Sequence, residues 1–294
     1  MNAQAKMVAA PAEKVLVFPA HSQPNIRLLL PREHGTWGLL LLPLISGAIV
    51  GYVATPNESL KAALWFLLTA LSAFLIYQPL EAVLGFSLIK TRSQREQRVA
   101  IISVIALAMI ATAGVLELFH LHRRLVVVFG LAALACFCVR LLLGSSRPMR
   151  VPRQLIGALG LSSTAAGAYY APSGRIDRTS ILLWLASWLF AVAQIEYVHL
   201  RISTAQVRSR RQKLRSSLAV CFLHLLMIAT FVTAAFVGLA PPLLAVASVP
   251  SIIRLGIWLA RPWRPLGIHI VGVSELLQGL IFNILLVGAF IARI

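Results

Sequence analysis

Aspartate is all but missing from this chain: Asp177 is the single one in 294 residues, and with the glutamates the acidic total is nine against 27 Lys and Arg. So few carboxylates argue against metal-dependent catalysis, because a hard divalent cation takes several carboxylate oxygens. Charge of either sign is also scarce. Charged residues make up 12% of the chain and hydrophobic ones 59%, where soluble domains carry about 25% charged residues, so a water-soluble fold is excluded. Cysteine is rare as well. Cys136 and Cys138 stand two apart, about 200° around a helix from each other, Cys221 is alone, and no Cys-x-x-Cys spacing exists. The three read as small buried apolar residues rather than metal ligands or a redox pair. A secretory signal is lacking too, since Pro11, Pro19, Pro24 and scattered charges break the first thirty residues. Residues 1–30 read as a flexible cytoplasmic arm ahead of a single membrane domain over 31–294.

What is present in quantity is long apolar runs. Nine stretches of about twenty residues follow one another, the length a helix needs to cross about 30 Å of hydrocarbon. They run Trp37 to Val53, Ala62 to Glu81, Val99 to Leu118, Leu125 to Leu143, Leu155 to Ala171, Ile181 to His199, Leu218 to Val237, Leu239 to Leu259 and Ile270 to Ala292. The fold class is therefore all-α, a polytopic integral membrane protein of nine transmembrane helices. Pro43, Pro79 and Pro250 lie in these stretches and predict kinks or unwound turns.

Lys and Arg alternate in density between the stretches. Nineteen fall in alternate segments beginning with the N-terminal one, six in the others, and Arg140 and Arg254 lie within helices. The positive-inside rule then places the N-terminus in the cytoplasm and the C-terminus outside, as an odd helix count requires. The same distribution accounts for the net charge of +18 without nucleic acid. The excess sits in juxtamembrane segments, where it attracts anionic lipid head groups.

Ionisable groups inside spans are costly and usually face a cavity or a partner. Here they gather at one end of the predicted helices: Glu33 and His34 at the start of the first, Gln78 and Glu81 closing the second, Arg140 late in the fourth. Gln194, Glu196 and His199 close the sixth, His224 lies two turns into the seventh, Arg254 is late in the eighth, and Glu275 and Gln278 open the ninth. The pairs Gln78 and Glu81, Glu196 and His199, and Glu275 and Gln278 each share a helix face at a spacing of three. Together they predict a polar chamber open to the cytoplasm. Each group alone also fits an interfacial position where it satisfies its neighbours. Six basic residues between Arg201 and Ser216, Arg208 and Arg211 among them, suit either phosphate binding or an ordinary positive-inside loop. Gly157, Gly160, Gly167 and the run Ser162 to Ala166 suit close helix packing in the fifth span.

The segment PREHGTWGLLLLPLISG at 31 to 47 resembles the opening of the YwiC-like membrane proteins, a bacterial family, and RPLGIHIVGVSELLQG at 264 to 279 resembles that family's last helix. More distantly, the chain resembles the UbiA-type intramembrane prenyltransferases, which implies a UbiA-like helical bundle with active-site loops after helices 2 and 6. Those loops correspond here to Leu88–Arg98, with Arg92 and Arg95, and to Leu200–Ser216. The chain departs from that pattern in lacking both Asp-rich motifs, which leaves Glu81 and Glu196 at the matching helix ends and disfavours metal-dependent prenyl transfer. No cofactor is implied. The expected function is the handling of an isoprenoid or other anionic-headed lipid in the bacterial plasma membrane. A proton-coupled solute transporter and a non-catalytic assembly subunit with helix 5 as its partner surface stand as alternatives.

Overall fold

A computed structural model describes residues 34–55, 60–84, 94–143, 149–207, 209–261 and 267–293. Among them run nine helices: α1 (His34–Ala54), α2 (Leu60–Val83), α3 (Gln94–His120), α4 (Val126–Leu142), α5 (Arg150–Ser173), α6 (Arg178–Ser203), α7 (Arg210–Phe236), α8 (Leu244–Ala260) and α9 (Ile268–Ile291). All nine expected spans are therefore helices. Six of them (α1, α2, α3, α6, α7 and α9) are both long and apolar enough to cross a bilayer, while α4 and α8 are shorter apolar helices.

The boundaries differ from the apolar runs in instructive ways. Backbone hydrogen bonding continues past the hydrocarbon-length core, so α3 begins at Gln94 and α7 at Arg210. Within the two basic segments expected as long loops, residues 94–98 and 210–216 are thus helical, and Arg95, Arg211 and Lys213 stand on first turns. The eighth span starts at Leu244 rather than Leu239, because Gly238 turns the chain at φ 73° and Pro241 and Pro242 have no N–H to give to a helix. No unwound turn appears at Pro43, Pro79 or Pro250, each of which lies within a continuous helix. One turn before Pro43, the Thr164 hydroxyl donates to the Leu40 carbonyl at 3.3 Å.

The centre of the bundle is the α1–α5 pair, whose interface is the most extensive. The two helices run parallel and almost backbone to backbone: a Cβ built on Gly47 would lie 2.0 Å from the Ala165 carbonyl oxygen, and one on Gly51 2.5 Å from that of Tyr169. This is small-xxx-small packing with the two small residues on α1. Around the pair, α4 and α2 pack on one flank of α5, with α3 against α2, and α6 to α9 complete the other. α9 also runs parallel to α1, tied by a buried Ser46 to Asn283 hydrogen bond of 2.7 Å. One core joins α1 and α5 to α6–α9 around stacked Phe190 and Phe282, with ring centroids 3.9 Å apart. A second joins α1 and α5 to α2 and α4.

Large apolar side chains are exposed on every helix except α5, where none is. Such a surface suits lipid and not water. The small-residue face of α5, expected as a possible partner surface, is instead consumed inside the bundle. Because α1, α5 and α9 are parallel and their chain neighbours antiparallel, the helix ends that border the dense basic segments lie together at one end, called the basic end below.

Candidate functional site

Polar side chains at the basic end form two nodes, one on each flank of α5. The first lies at the end of α2 and α4. The Tyr77 hydroxyl donates to Glu81 Oε1, one turn on along the same helix, and Glu81 itself is buried. The guanidinium of Arg140 lies over the Tyr77 ring, with Cζ 4.5 Å from its centroid. Phe137 meets the same ring edge-on at 5.4 Å. Arg140 lies against α5 at Gly157, where a Cβ would fall 3.5 Å from Nη1, an ordinary contact. Arg153, one turn before Gly157, stands within electrostatic reach of Tyr77. Among the described residues no carboxylate pairs with Arg140, and its buried Nε–H has no acceptor. Two arginines thus stand near the Tyr77 ring.

The second node lies between α6, α7, α8 and α9 and is deeper. Arg254 of α8 donates through Nη1 to Glu275 Oε1 of α9 at 2.6 Å and through Nη2 to Gln194 Oε1 of α6 at 2.5 Å. Its Cζ sits 4.0 Å from the Tyr197 ring centroid, a cation–π contact strengthened by desolvation. Arg201 donates to the Tyr197 hydroxyl at 3.2 Å. Trp258 meets Tyr197 edge-on at 6.2 Å, and Lys213 Nζ lies 4.3 Å over Trp258. Lys213 also donates to the Trp258 and Arg261 carbonyls, which closes the C-terminus of α8. Gln278 donates to Ser251 Oγ at 3.2 Å, and His224 is buried with Nδ1 2.8 Å from the Val220 carbonyl. Between the nodes, His199 of α6 and Gln154 of α5 are hydrogen-bonded at 2.6 Å.

Of the residues expected at a site, the structure joins Glu81 with Arg140 through Tyr77, Gln194 with Glu275 through Arg254, and places Gln278 one turn from Glu275. His199 lies between. Gln78 and Glu196 are half-buried, and Arg95 and Arg211 are exposed. Glu33, Arg92 and Arg208 lie outside the described residues, as does the 1–30 arm, and His34 is described only as the first residue of α1. Glu81 and Glu196 stand on helices that have α5 as a common neighbour. Sequence reasoning missed the tyrosines and Arg153. The signal was there: Tyr77 is four residues before Glu81 and Tyr197 three after Gln194, the spacings that put side chains on one face.

The fold and its polar end define the chain as a multi-pass helical membrane protein. Over residues 30–170 it carries the sequence pattern of the family described as YwiC-like protein, a match that takes in α1 to α4 and all but the last turn of α5. The resemblance seen in the opening segment is thereby borne out, while the last-helix segment lies beyond the match. No curated protein and no solved structure matches the chain.

Proposed function

We propose that the protein is a UbiA-like scaffold of the plasma membrane that holds a lipid with an anionic head group, an isoprenoid phosphate being one such lipid, at its cytoplasm-facing basic end. The observation that carries this reading is the first node. Arg140 is laid on Tyr77 with no carboxylate paired to it among the described residues, and Arg153 lies within electrostatic reach of the same tyrosine. Arg140 and Glu81 each stand two residues from the end of their helix, about 3 Å at 1.5 Å per residue, which is head-group depth. A guanidinium fixed by stacking offers paired N–H groups to phosphate oxygens. Glu81, bonded by Tyr77, is oriented to accept from a head-group hydroxyl.

Lipids that co-purify with the intact protein in mild detergent, identified by mass spectrometry, test this. A specific anionic lipid retained by the parent and lost from Arg140→Gln, with bulk phospholipid unchanged, is the expected result. The same lipid profile from both proteins would contradict it.

A further inference from the structure

The second node is not used by that reading, and its chemistry differs. Arg254 and Glu275 form an ion pair within the apolar span, with side chains 15% and 17% exposed. Gln194, 8% exposed, accepts from Arg254 but leaves its own Nε2 without an acceptor. Arg254 Nε and Glu275 Oε2 are likewise buried and unpartnered among the described residues, as is Nε2 of His224, which is 2% exposed. Four of the eight such atoms in the described residues therefore belong to this one cluster. Buried polar atoms are normally satisfied, and a group of them marks a place that takes a ligand or solvent.

Their chemistry is specific. Arg254 Nε and Gln194 Nε2 are donors pointing at no acceptor. Glu275 Oε2 is an acceptor while ionised and becomes an O–H donor when protonated. His224, with Nδ1–H assigned to the Val220 carbonyl, presents Nε2 as an acceptor. Among the described residues, the other charged and titratable groups tied to the pair are Tyr197 and Arg201 from α6 and His224 from α7, with Lys213 of α7 further out over Trp258; α1 brings Ser46 to its contact with α9. Counting Arg254, the node has three cations to one carboxylate, and Arg201 and Lys213 line the approach from the basic end along Tyr197 and Trp258.

We propose that this node is a proton-linked oxyanion site, in which an anion of carboxylate or phosphate type binds Arg254 and Gln194 as Glu275 takes up a proton from solvent. Ionised Glu275 occupies Arg254 and repels a second anion. Protonated, it releases the guanidinium, which then stands as an uncompensated buried cation until an anion arrives, and its new O–H becomes a third donor. Because linkage is reciprocal, anion binding raises proton affinity by the same factor that protonation raises anion affinity.

Sulfate, which does not titrate near neutrality, serves as the probe, with full-length protein in phosphatidylcholine nanodiscs and thermal unfolding as the readout. The expected result is an apparent sulfate affinity about tenfold tighter near pH 5.5 than near pH 8, with proton uptake on binding in weakly buffered medium. Glu275→Gln should bind sulfate equally at both pH values, its amide standing in for the protonated acid. The Arg254→Gln, Glu275→Gln double variant, which removes both charges together, should show no response. Arg140→Gln should keep the full response, so this proposal and the lipid reading fail separately. Discs doped with phosphatidylglycerol distinguish the source: stabilisation by that lipid with the same pH dependence identifies a lipid-borne head group, and stabilisation by sulfate alone a free anion. A pH-independent wild-type response, a response that survives in the double variant, or none with either probe would overturn the proposal. Should Glu275→Gln not fold, the wild-type pH dependence and the double variant decide it.

Discussion

Gly174 and Gly238 have nearly the same backbone, φ 67° and 73°, in very different surroundings. A Cβ on Gly238 would meet nothing within 4 Å, whereas one on Gly174 would lie 2.5 Å from Nη1 of Arg123. That arginine is fixed, donating through Nε to the Ala171 carbonyl at 2.8 Å and through Nη2 to that of Pro172 at 3.2 Å. Gly238→Ala should therefore cost only the left-handed backbone term, about 1–2 kcal/mol, while Gly174→Ala adds the displacement of Arg123. Comparison of their melting temperatures, with Gly174→Ala the lower, checks this. Asp177, the lone aspartate, caps α6 by accepting from the Ser180 N–H at 3.1 Å and also accepts from the Tyr169 hydroxyl at 2.8 Å. Loss of such a cap costs about 1 kcal/mol. Asp177→Ala should thus lower stability and leave the co-purifying lipid unchanged, which separates a structural carboxylate from Glu81 and Glu275.

At the scale of elements, the α1–α5 contact decides the architecture. Gly47→Leu or Gly51→Leu would drive a side chain into the α5 backbone, since the first added atom already overlaps a carbonyl. Either should abolish a cooperative melting transition or lower it sharply. Gly130→Ala on α4, where a Cβ meets nothing within 4 Å, should be neutral or raise stability by up to about 1 kcal/mol through helix propensity. Helix ends explain the charge asymmetry in a further way. Away from the basic end, Arg123 closes α5, Arg178 and Arg293 donate to the Gly238 carbonyl beyond α7, and Lys61 pairs with Glu117 at 3.6 Å. Four of the six basic residues at that end are thus tied to helix C-termini or a carboxylate, where a cation is favoured by the helix dipole.

For the molecule as a whole, the nine spans were legible because a hydrocarbon-length apolar run leaves a helix few alternatives. Their ends were not, since at Gln94 to Val99 and Arg210 to Leu218 the helix continues into polar sequence past the point where the apolar run stops. The Gly47 and Gly51 pair was written in the sequence, but which helix they meet depends on a contact more than a hundred residues away. The candidate site was legible as a set of polar residues at one end, yet its division into two nodes was not. Arg254 choosing Glu275 and Gln194, and Tyr77 taking Glu81, follow from helix adjacency that periodicity does not encode. Both proposals rest on one claim about the whole molecule: that it spans a bilayer with the basic end in the cytoplasm and the Arg175 end outside.

Cysteine labelling in intact cells tests that claim most directly. With Cys136, Cys138 and Cys221 replaced, a single cysteine is placed at exposed Arg211 on the basic end or at exposed Arg175 on the other. A membrane-impermeant maleimide should label Arg175→Cys in intact cells and Arg211→Cys only after the membrane is opened. Labelling of Arg211→Cys in intact cells, or of both positions equally, would contradict the account.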